Sequence, residues 1–175
     1  MLTRFGRDRR GVAAIEFALI APVAIALYMG FAELTMAMMA DRRVAHAAAV
    51  VGDLVAQSPT VAPSDLTDIF QVGSQIMSPF TATPLKMRIT SVVADVNGVP
   101  KVAWSKGSGM TAMTVGTTAG GVPANLLAAG DSVIQADVSY SYTSPLGFTL
   151  NAPITFANTF FLKPRQSASV ACALC

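Results

Sequence analysis

The most apolar part of the chain lies near its amino terminus. After a short basic segment that Gly11 ends, the 29 residues from Val12 to Ala40 contain two charges, Glu16 and Glu33. A helix that crosses the hydrocarbon core of a membrane needs about 20 apolar residues. The uninterrupted apolar run, Phe17–Ala32, has only 16 residues. A membrane span in this region must therefore extend past one glutamate.

Two positions of the span meet this requirement. A span over Val12–Ala32 leaves Glu16 just inside one interface and Glu33 at the other, whereas a span over Phe17–Ala40 buries Glu33. A charged side chain at the centre of a span costs about 3 kcal/mol on insertion scales. We favour Val12–Ala32, because both carboxylates then lie near water.

The helical pattern continues beyond the span. Small apolar residues recur at helical spacing after Asp41: Ala45, Ala48, Val51 or Gly52, and Val55. Ser58-Pro59 ends the pattern. One helix over residues 12–57 would be about 69 Å long, of which about 30 Å crosses the membrane. The remainder is predicted to form a stem outside it.

The residues after Ser58 predict a small head. Ser64 is a candidate helix N-cap, with Asp65 in the first turn. One face of this helix carries Leu66, Ile69, Phe70, Gly73, Ile76 and Met77. Four strands are predicted: Leu85–Val96, Lys101–Ser105, Ser132–Thr143 and Ile154–Lys163. Asn97-Gly98 predicts a hairpin between the first two strands.

Three further segments complete the predicted head. Thr60–Pro63 is expected to be a linker, and Gly107–Gly130 a long surface loop or extension. Val170–Cys175 is expected to add an edge strand. The fold class is therefore α+β: a long membrane-spanning helix that continues as a stem, then a head with a helix and an antiparallel sheet. The predicted domains are a leader (1–11), the helix and stem (12–57) and the head (58–175).

Composition and charge narrow the classes of protein. The chain is 53% hydrophobic and 13% charged, which is atypical of a cytosolic globule and of a disordered protein. The net charge of +2 gives no basic field for nucleic acid. Four arginines precede the span, which predicts a cytoplasmic amino terminus and a head outside. A cleavable secretory signal is the alternative, but its best site, Ala45-His46-Ala47, follows further charges.

The amino-terminal motif resembles a type IV prepilin signal. In that family a prepilin peptidase cuts after the glycine, and a glutamate is the fifth residue of the mature chain, as Glu16 is counting from Val12. The string GVAAIEFALIAP, followed by Gly30 and Glu33, is more specifically similar to TadE-like proteins. These are minor pilins or pseudopilins of tight-adherence (Flp-type) pili. The resemblance covers about residues 10–55.

The resemblance implies a pilin-like fold and a role in assembly or priming of a Flp pilus. The implied partners are the inner membrane, Flp-type pilin subunits, other pseudopilins and a prepilin peptidase. The implied location is the inner membrane, by a single pass, with the head periplasmic or extracellular. The alternative is a signal-anchored periplasmic binding or adhesion protein that does not polymerise.

The spacing of Gly11 and Glu16 has a physical interpretation that does not depend on the family. Cleavage after Gly11 would expose an amine on Val12, about 6 Å along the helix axis from Glu16. A neighbouring subunit's amine could pair with Glu16 and set the register of packed helices; alternatively, Glu16 reaches the cytoplasmic headgroups. Small residues recur every fourth position and suit close helix packing, although alanine is common throughout: Ala14, Ala18, Pro22, Ala26 and Gly30. Glu33 is assigned to the same set of register and packing residues.

The head offers little that suggests chemistry. Cys172 and Cys175 are expected to form a disulfide in an oxidising compartment, with bridges to another chain or free thiols as alternatives. His46 is expected to be a solvated stem residue. The sequence contains no phosphate-binding loop and no nucleophile elbow. We therefore expect no enzymatic activity, cofactor, metal, nucleic acid or small-molecule substrate.

Overall fold

The computed structural model describes residues 11–175, so the predicted leader lies outside the described residues except for Gly11. The chain forms two compact units. The first contains residues 11–38 and the loop Thr143–Ala152, and the second contains Met39–Tyr142 and Pro153–Cys175. Helix α1, Val12–Ala56, contributes to both units. The architecture is α+β, as the sequence predicts.

The second unit is built on a four-stranded antiparallel sheet. Its strand order is β3-β2-β4-β5, and β2 and β4 are the central strands. The strands are β2 (Leu85–Ala94), β3 (Pro100–Ser108), β4 (Ser132–Tyr142) and β5 (Ile154–Leu162). Helix α2 spans Pro63–Ile76, and the short strands β1 (Thr60–Val61) and β6 (Ala171–Cys172) form a separate parallel pair. All four predicted strands are confirmed to within a few residues.

The second half of α1 packs on one face of this sheet. The residues of this face are small and buried: Ala40, Val44, Ala47, Ala48, Val51, Val55 and Ala56. Gly52 makes the closest approach, because a methyl group there would lie 2.5 Å from Leu162 Cδ1 and 3.0 Å from Ala136 Cβ. The predicted helix face is confirmed at Ala48, Val51 and Val55, but Val44 is buried where Ala45 was expected.

Helix α2 packs beside α1 on the same face. A methyl group at Gly73 would lie 2.6 Å from Met87 Sδ and 2.8 Å from Val51 Cγ2, so glycine permits the contact among α2, α1 and β2. The predicted N-cap, Ser64, is wrong. The helix begins at Pro63, and the Asp65 carboxylate accepts the Ala62 backbone N–H at 2.9 Å.

The other face of the sheet is covered by the segment between β3 and β4. Ala119 of that segment is buried in one cluster with Val92, Val102 and Val133. Residues 116–119 also hydrogen-bond the backbone of β3 at Val102 and Pro100. The prediction of Gly107–Gly130 as a surface loop is therefore wrong in part. Both faces of β2 and β4 carry buried side chains, and this segment shields the apolar part of the second face.

A polar network lies on this covered face. Arg88 forms an ion pair with Asp137 at 2.8 Å. Asp137 also accepts the Thr159 hydroxyl at 2.7 Å and the Gln135 amide at 3.1 Å. The charge of Asp137 is thus compensated inside the fold, which is the condition for burying a carboxylate.

The carboxyl-terminal tail is tied to the start of the head rather than to the main sheet. Thr60 and Val61 pair with Ala171 and Cys172, so the predicted linker is partly a strand and the predicted edge strand belongs to a second, small sheet. The Val170 carbonyl accepts the indole N–H of Trp104 at 2.8 Å. Local sequence does not specify the pairing of β1 with β6, because Thr60 and Ala171 lie more than 100 residues apart.

The β2–β3 hairpin forms where Asn97-Gly98 predicts it. Gly98 has a φ of 77°, which glycine adopts without steric cost. Asp95 Oδ1 accepts the backbone N–H groups of Val99 at 3.0 Å and Asn97 at 2.8 Å. These hydrogen bonds hold the pKa of Asp95 below its ordinary value.

Candidate membrane and assembly site

The first half of α1, Val12–Ala32, is apolar and is exposed or half-buried throughout; we call it the bare half of α1. Its most apolar window of 18 residues has a mean hydropathy of 2.1, and none of that window is buried by the other residues that the structure describes. Large side chains are exposed on all sides, among them Phe17, Leu19, Ile25 and Phe31. A helix that is hydrophobic all round requires an apolar environment, and by length and composition this one is suited to cross a membrane as a single anchor.

The exposed stretch ends at Glu33. Residues 11–32 are exposed or half-buried, and Glu33 is the first buried residue of α1, with 0% of its side chain exposed. This boundary agrees with a span over Val12–Ala32, since a span to Ala40 would include residues that the protein itself buries. Glu33 is therefore the first residue of α1 that another part of its own unit buries completely.

Glu33 is held by the loop Thr143–Ala152, which connects β4 to β5. Its Oε1 accepts the Phe148 N–H at 2.6 Å and the Ser144 hydroxyl at 2.8 Å. Its Oε2 accepts the N–H groups of Thr149 at 2.6 Å and Leu150 at 2.9 Å, together with the Thr149 hydroxyl. Five donors therefore surround one carboxylate, and three of them are consecutive backbone N–H groups. We call this arrangement the Glu33 clamp.

A turn within the loop orients the N–H groups that bind Glu33. Pro145 follows Ser144, and Gly147 adopts a φ of 60° that favours glycine. The Ser144 hydroxyl oxygen also accepts the N–H groups of Leu146 at 3.3 Å and Gly147 at 3.4 Å. The turn directs the next three N–H groups toward one point, which forms an anion-binding nest of backbone amides.

Glu16 has the opposite environment. It is exposed, and within residues 11–175 no hydrogen bond or ion pair involves it. The two glutamates of the chain thus differ: Glu33 is satisfied by its own protein, whereas a partner for Glu16 must come from outside the described part of the chain. Glu16 lies about one turn from Val12, where cleavage after Gly11 would create a new amine.

The small-residue stripe of α1 is largely unused by the protein itself. The helix continues through Pro22, and most of the stripe is exposed. Gly30 is half-buried, yet a methyl group there would lie 3.7 Å from Thr149 Cγ2, which is ordinary van der Waals contact. The loop therefore does not require glycine at position 30. The exposed part of the stripe, Ala14, Ala18 and Pro22, remains available for close packing against a second helix.

The remaining candidates are separate from this site. Cys172 and Cys175 are joined by a disulfide, with their Cα atoms 5.7 Å apart, and His46 is exposed on α1. Among the described residues, no group of three or more His, Cys, Asp or Glu side chains is placed to hold a metal ion.

Sequence reasoning located Glu33 but not its partner. The loop that holds it lies 111 to 117 residues further along the chain. Three of its five hydrogen bonds come from backbone N–H groups, which every residue except proline carries. The one signal in the sequence is an uncharged loop with turn-forming residues at Pro145 and Gly147, and that signal does not indicate a carboxylate.

One comparison with known proteins matches the amino-terminal helix. Residues 11–52 match the family model of TadE-like proteins. No curated protein and no solved structure matches the chain significantly. The matched region contains Gly11, Glu16, Gly30 and Glu33 and extends from the start of the bare half of α1 to Gly52 in its packed half. The resemblance that the sequence predicts is thereby confirmed: the amino-terminal helix of this chain is TadE-like.

Proposed function

We propose that the chain is a minor pilin or pseudopilin that acts in the assembly or priming of a tight-adherence (Flp) pilus. The observation that carries the proposal is the coincidence of two features. The TadE-like match begins at Gly11, and the helix that follows presents 21 exposed or half-buried residues, Val12–Ala32, to its surroundings. Catalysis and cofactor binding have no part in this function.

The proposed sequence of events begins in the inner membrane. The arginine-rich terminus stays in the cytoplasm, and the second unit is placed in the periplasm. A prepilin peptidase then cuts between Gly11 and Val12. The new amine and the exposed Glu16 lie at the same interface, so a neighbouring Flp pilin or pseudopilin can pair with them. An ion pair at this depth is poorly screened and fixes the axial register of two helices.

In this proposal, only Glu16 of the two glutamates takes part in assembly. Because the Glu33 clamp satisfies its carboxylate within the chain, Glu33 is not needed as an intermolecular partner. Glu16 is left as the residue that recognises a neighbour. Glu16→Ala should therefore leave insertion and cleavage intact and reduce incorporation into pili or priming complexes.

Mass spectrometry of the mature protein tests the processing step. The expected amino terminus is Val12, and Gly11→Trp should give a heavier, uncut chain that stays in the membrane. Gly30→Trp is a control of the same substitution outside the cleavage site and should be cut normally. Intact Met1 in assembled material would contradict the proposal, and cleavage after Ala47 would indicate a secretory signal instead.

Fractionation tests the assembly step. Cross-linking from position 16 should capture a Flp-type pilin or pseudopilin, and sheared pili should contain the chain if it is incorporated. A protein that is cut normally, yet neither cross-links to these partners nor affects piliation when deleted, would be a non-polymerising periplasmic protein. That result would remove the pilus role and leave the membrane anchor.

A further inference from the structure

The tip of the loop Thr143–Ala152 is apolar and exposed. Leu146 is 44% exposed and Phe148 is 55% exposed, and the ten residues of the loop carry no charge. An apolar tip on a polar rim is typical of a surface that contacts a membrane or a partner. The Glu33 clamp fixes the loop against α1. The position of Glu33 along the helix therefore determines whether the tip contacts the membrane or a partner.

The clamp sets the depth of the loop. Glu33 lies 21 residues after Val12, which is about 32 Å along a helix. A hydrocarbon core is about 30 Å thick, so a helix that enters the core at Val12 leaves it near Glu33. The Phe148, Thr149 and Leu150 N–H groups bond Glu33 directly and therefore lie at the outer interface.

The loop also reaches toward the membrane side of Glu33. Thr149 lies over Gly30, which is 18 residues or about 27 Å from Val12. Together they border an open groove of about 250 Å³ lined by Ala26, Leu27, Gly30, Phe31, Leu34 and Thr149. Five of these six residues belong to the bare part of α1 or its end, where the surrounding medium for an inserted helix is lipid.

We propose that this loop is a second membrane contact, in which Leu146 and Phe148 enter the outer interface of the bilayer and a lipid acyl chain occupies the groove beside Gly30. The Glu33 clamp supplies the backbone of the loop with partners, so that its N–H groups enter this environment already hydrogen-bonded. Exposed Tyr28 and Phe31 lie at the same level of α1 and suit an aromatic belt. The proposal rests on insertion of α1 but not on any role in a pilus.

Fluorescence quenching by brominated lipids tests this in the full chain, reconstituted in phosphatidylcholine vesicles. Phe148→Trp keeps the backbone N–H that bonds Glu33, and the native Trp104 is buried and supplies the background. Bromine near the glycerol end of an acyl chain should quench Phe148→Trp more strongly than bromine near its methyl end. Val23→Trp, near the middle of the span, should show the reverse order.

Val96→Trp is the matched control. Val96 is an apolar residue of the second unit that is 90% exposed, and it should show no more quenching than the native protein. If Phe148→Trp behaves like Val96→Trp while Val23→Trp is quenched, α1 is inserted and the loop proposal is overturned. If neither Phe148→Trp nor Val23→Trp is quenched, insertion itself fails and the loop proposal falls with it.

A second copy of the chain is the remaining occupant to exclude. Phe148→Trp emission that is insensitive to bromine but shifts with the ratio of protein to lipid would assign the tip to a protein contact and overturn the proposal. Emission that is quenched equally at all ratios supports lipid contact. Loss of piliation with quenching preserved would affect the proposed pilus function only.

Discussion

The two halves of α1 are one continuous helix with two different surfaces. Residues 12–32 carry large apolar side chains in every direction, whereas residues 40–56 confine small buried ones to a single face. Within residues 11–175, most of the surface of the first half contacts no other part of the protein, and the second half packs on a sheet. Hydrophobicity alone therefore does not decide burial; the size and the arrangement of the apolar residues decide what the helix packs against.

The difference is sharpest between two glycines of the same helix. We expect Gly52→Ala to destabilise the protein by about 2 kcal/mol, since the overpacking cost exceeds the gain in helix propensity. Its new methyl group would meet Leu162 at 2.5 Å and Ala136 at 3.0 Å. Gly30→Ala should instead be neutral or stabilising by up to about 1 kcal/mol. Thermal unfolding in detergent measures both, and equal shifts would contradict the distinction.

Two valines make the next comparison. Val51 is 1% exposed, and Val23 is 60% exposed. We expect Val51→Ala to cost about 2 kcal/mol through lost burial and a residual cavity, and Val23→Ala to leave the unfolding of the head unchanged. Denaturant unfolding of the second unit, followed by Trp104 fluorescence, reads this directly. A similar loss for Val23→Ala would mean that the bare half also packs within the chain.

Two glutamates extend the comparison to charge. We expect Glu33→Gln to raise amide hydrogen exchange in the loop Thr143–Ala152 by roughly tenfold, because one oxygen then serves five donors. Glu16→Gln removes the same charge from an exposed site and should leave the exchange of the loop unchanged. An unchanged loop in Glu33→Gln would show that the clamp does not order it.

The smallest effect is expected at the far end of the chain. Cys172→Ser should lower stability by less than about 2 kcal/mol, because the bridge closes a very short loop. The β1–β6 pairing and the Trp104–Val170 hydrogen bond still hold the tail. Thiol labelling of intact cells checks the disulfide itself: ready labelling of both cysteines without reductant would contradict it. Labelling only after the inner membrane is broken would contradict the proposed orientation.

The sequence predicts those parts of the fold that depend on neighbours along the chain. The apolar run of α1, the hairpin at Asn97-Gly98 and the alternation of β4 are local patterns, and the structure contains all three. They are predictable because helix and strand periodicities place residues a few positions apart on one face. The sequence places the N-cap of α2 at Ser64, two residues after the observed N-cap Ala62, because serine is an ordinary capping residue and alanine is not.

The residues of the candidate site likewise differ in whether the sequence predicts them. The span to Ala32 can be predicted because a bilayer selects for length and hydropathy, and both can be counted in a sequence. Gly11 and Glu16 are singled out by the resemblance of their motif to TadE-like proteins. The partner of Glu33 could not be found in this way. Backbone N–H groups from a loop more than 100 residues distant satisfy it, and backbone groups are the same at nearly every position.

The sequence by itself determined that this protein has a membrane-length apolar helix with a TadE-like start and an α+β head. Only the tertiary structure decided that Glu33 is hydrogen-bonded within the chain, that the loop Thr143–Ala152 supplies its partners, and that residues 116–119 cover a sheet face. The physical reason is how far apart along the sequence the interacting residues lie. The periodicity of apolar residues in a segment shows which of its faces is shielded from water. Hydrogen bonds and close packing between distant segments depend on which segments the fold brings together.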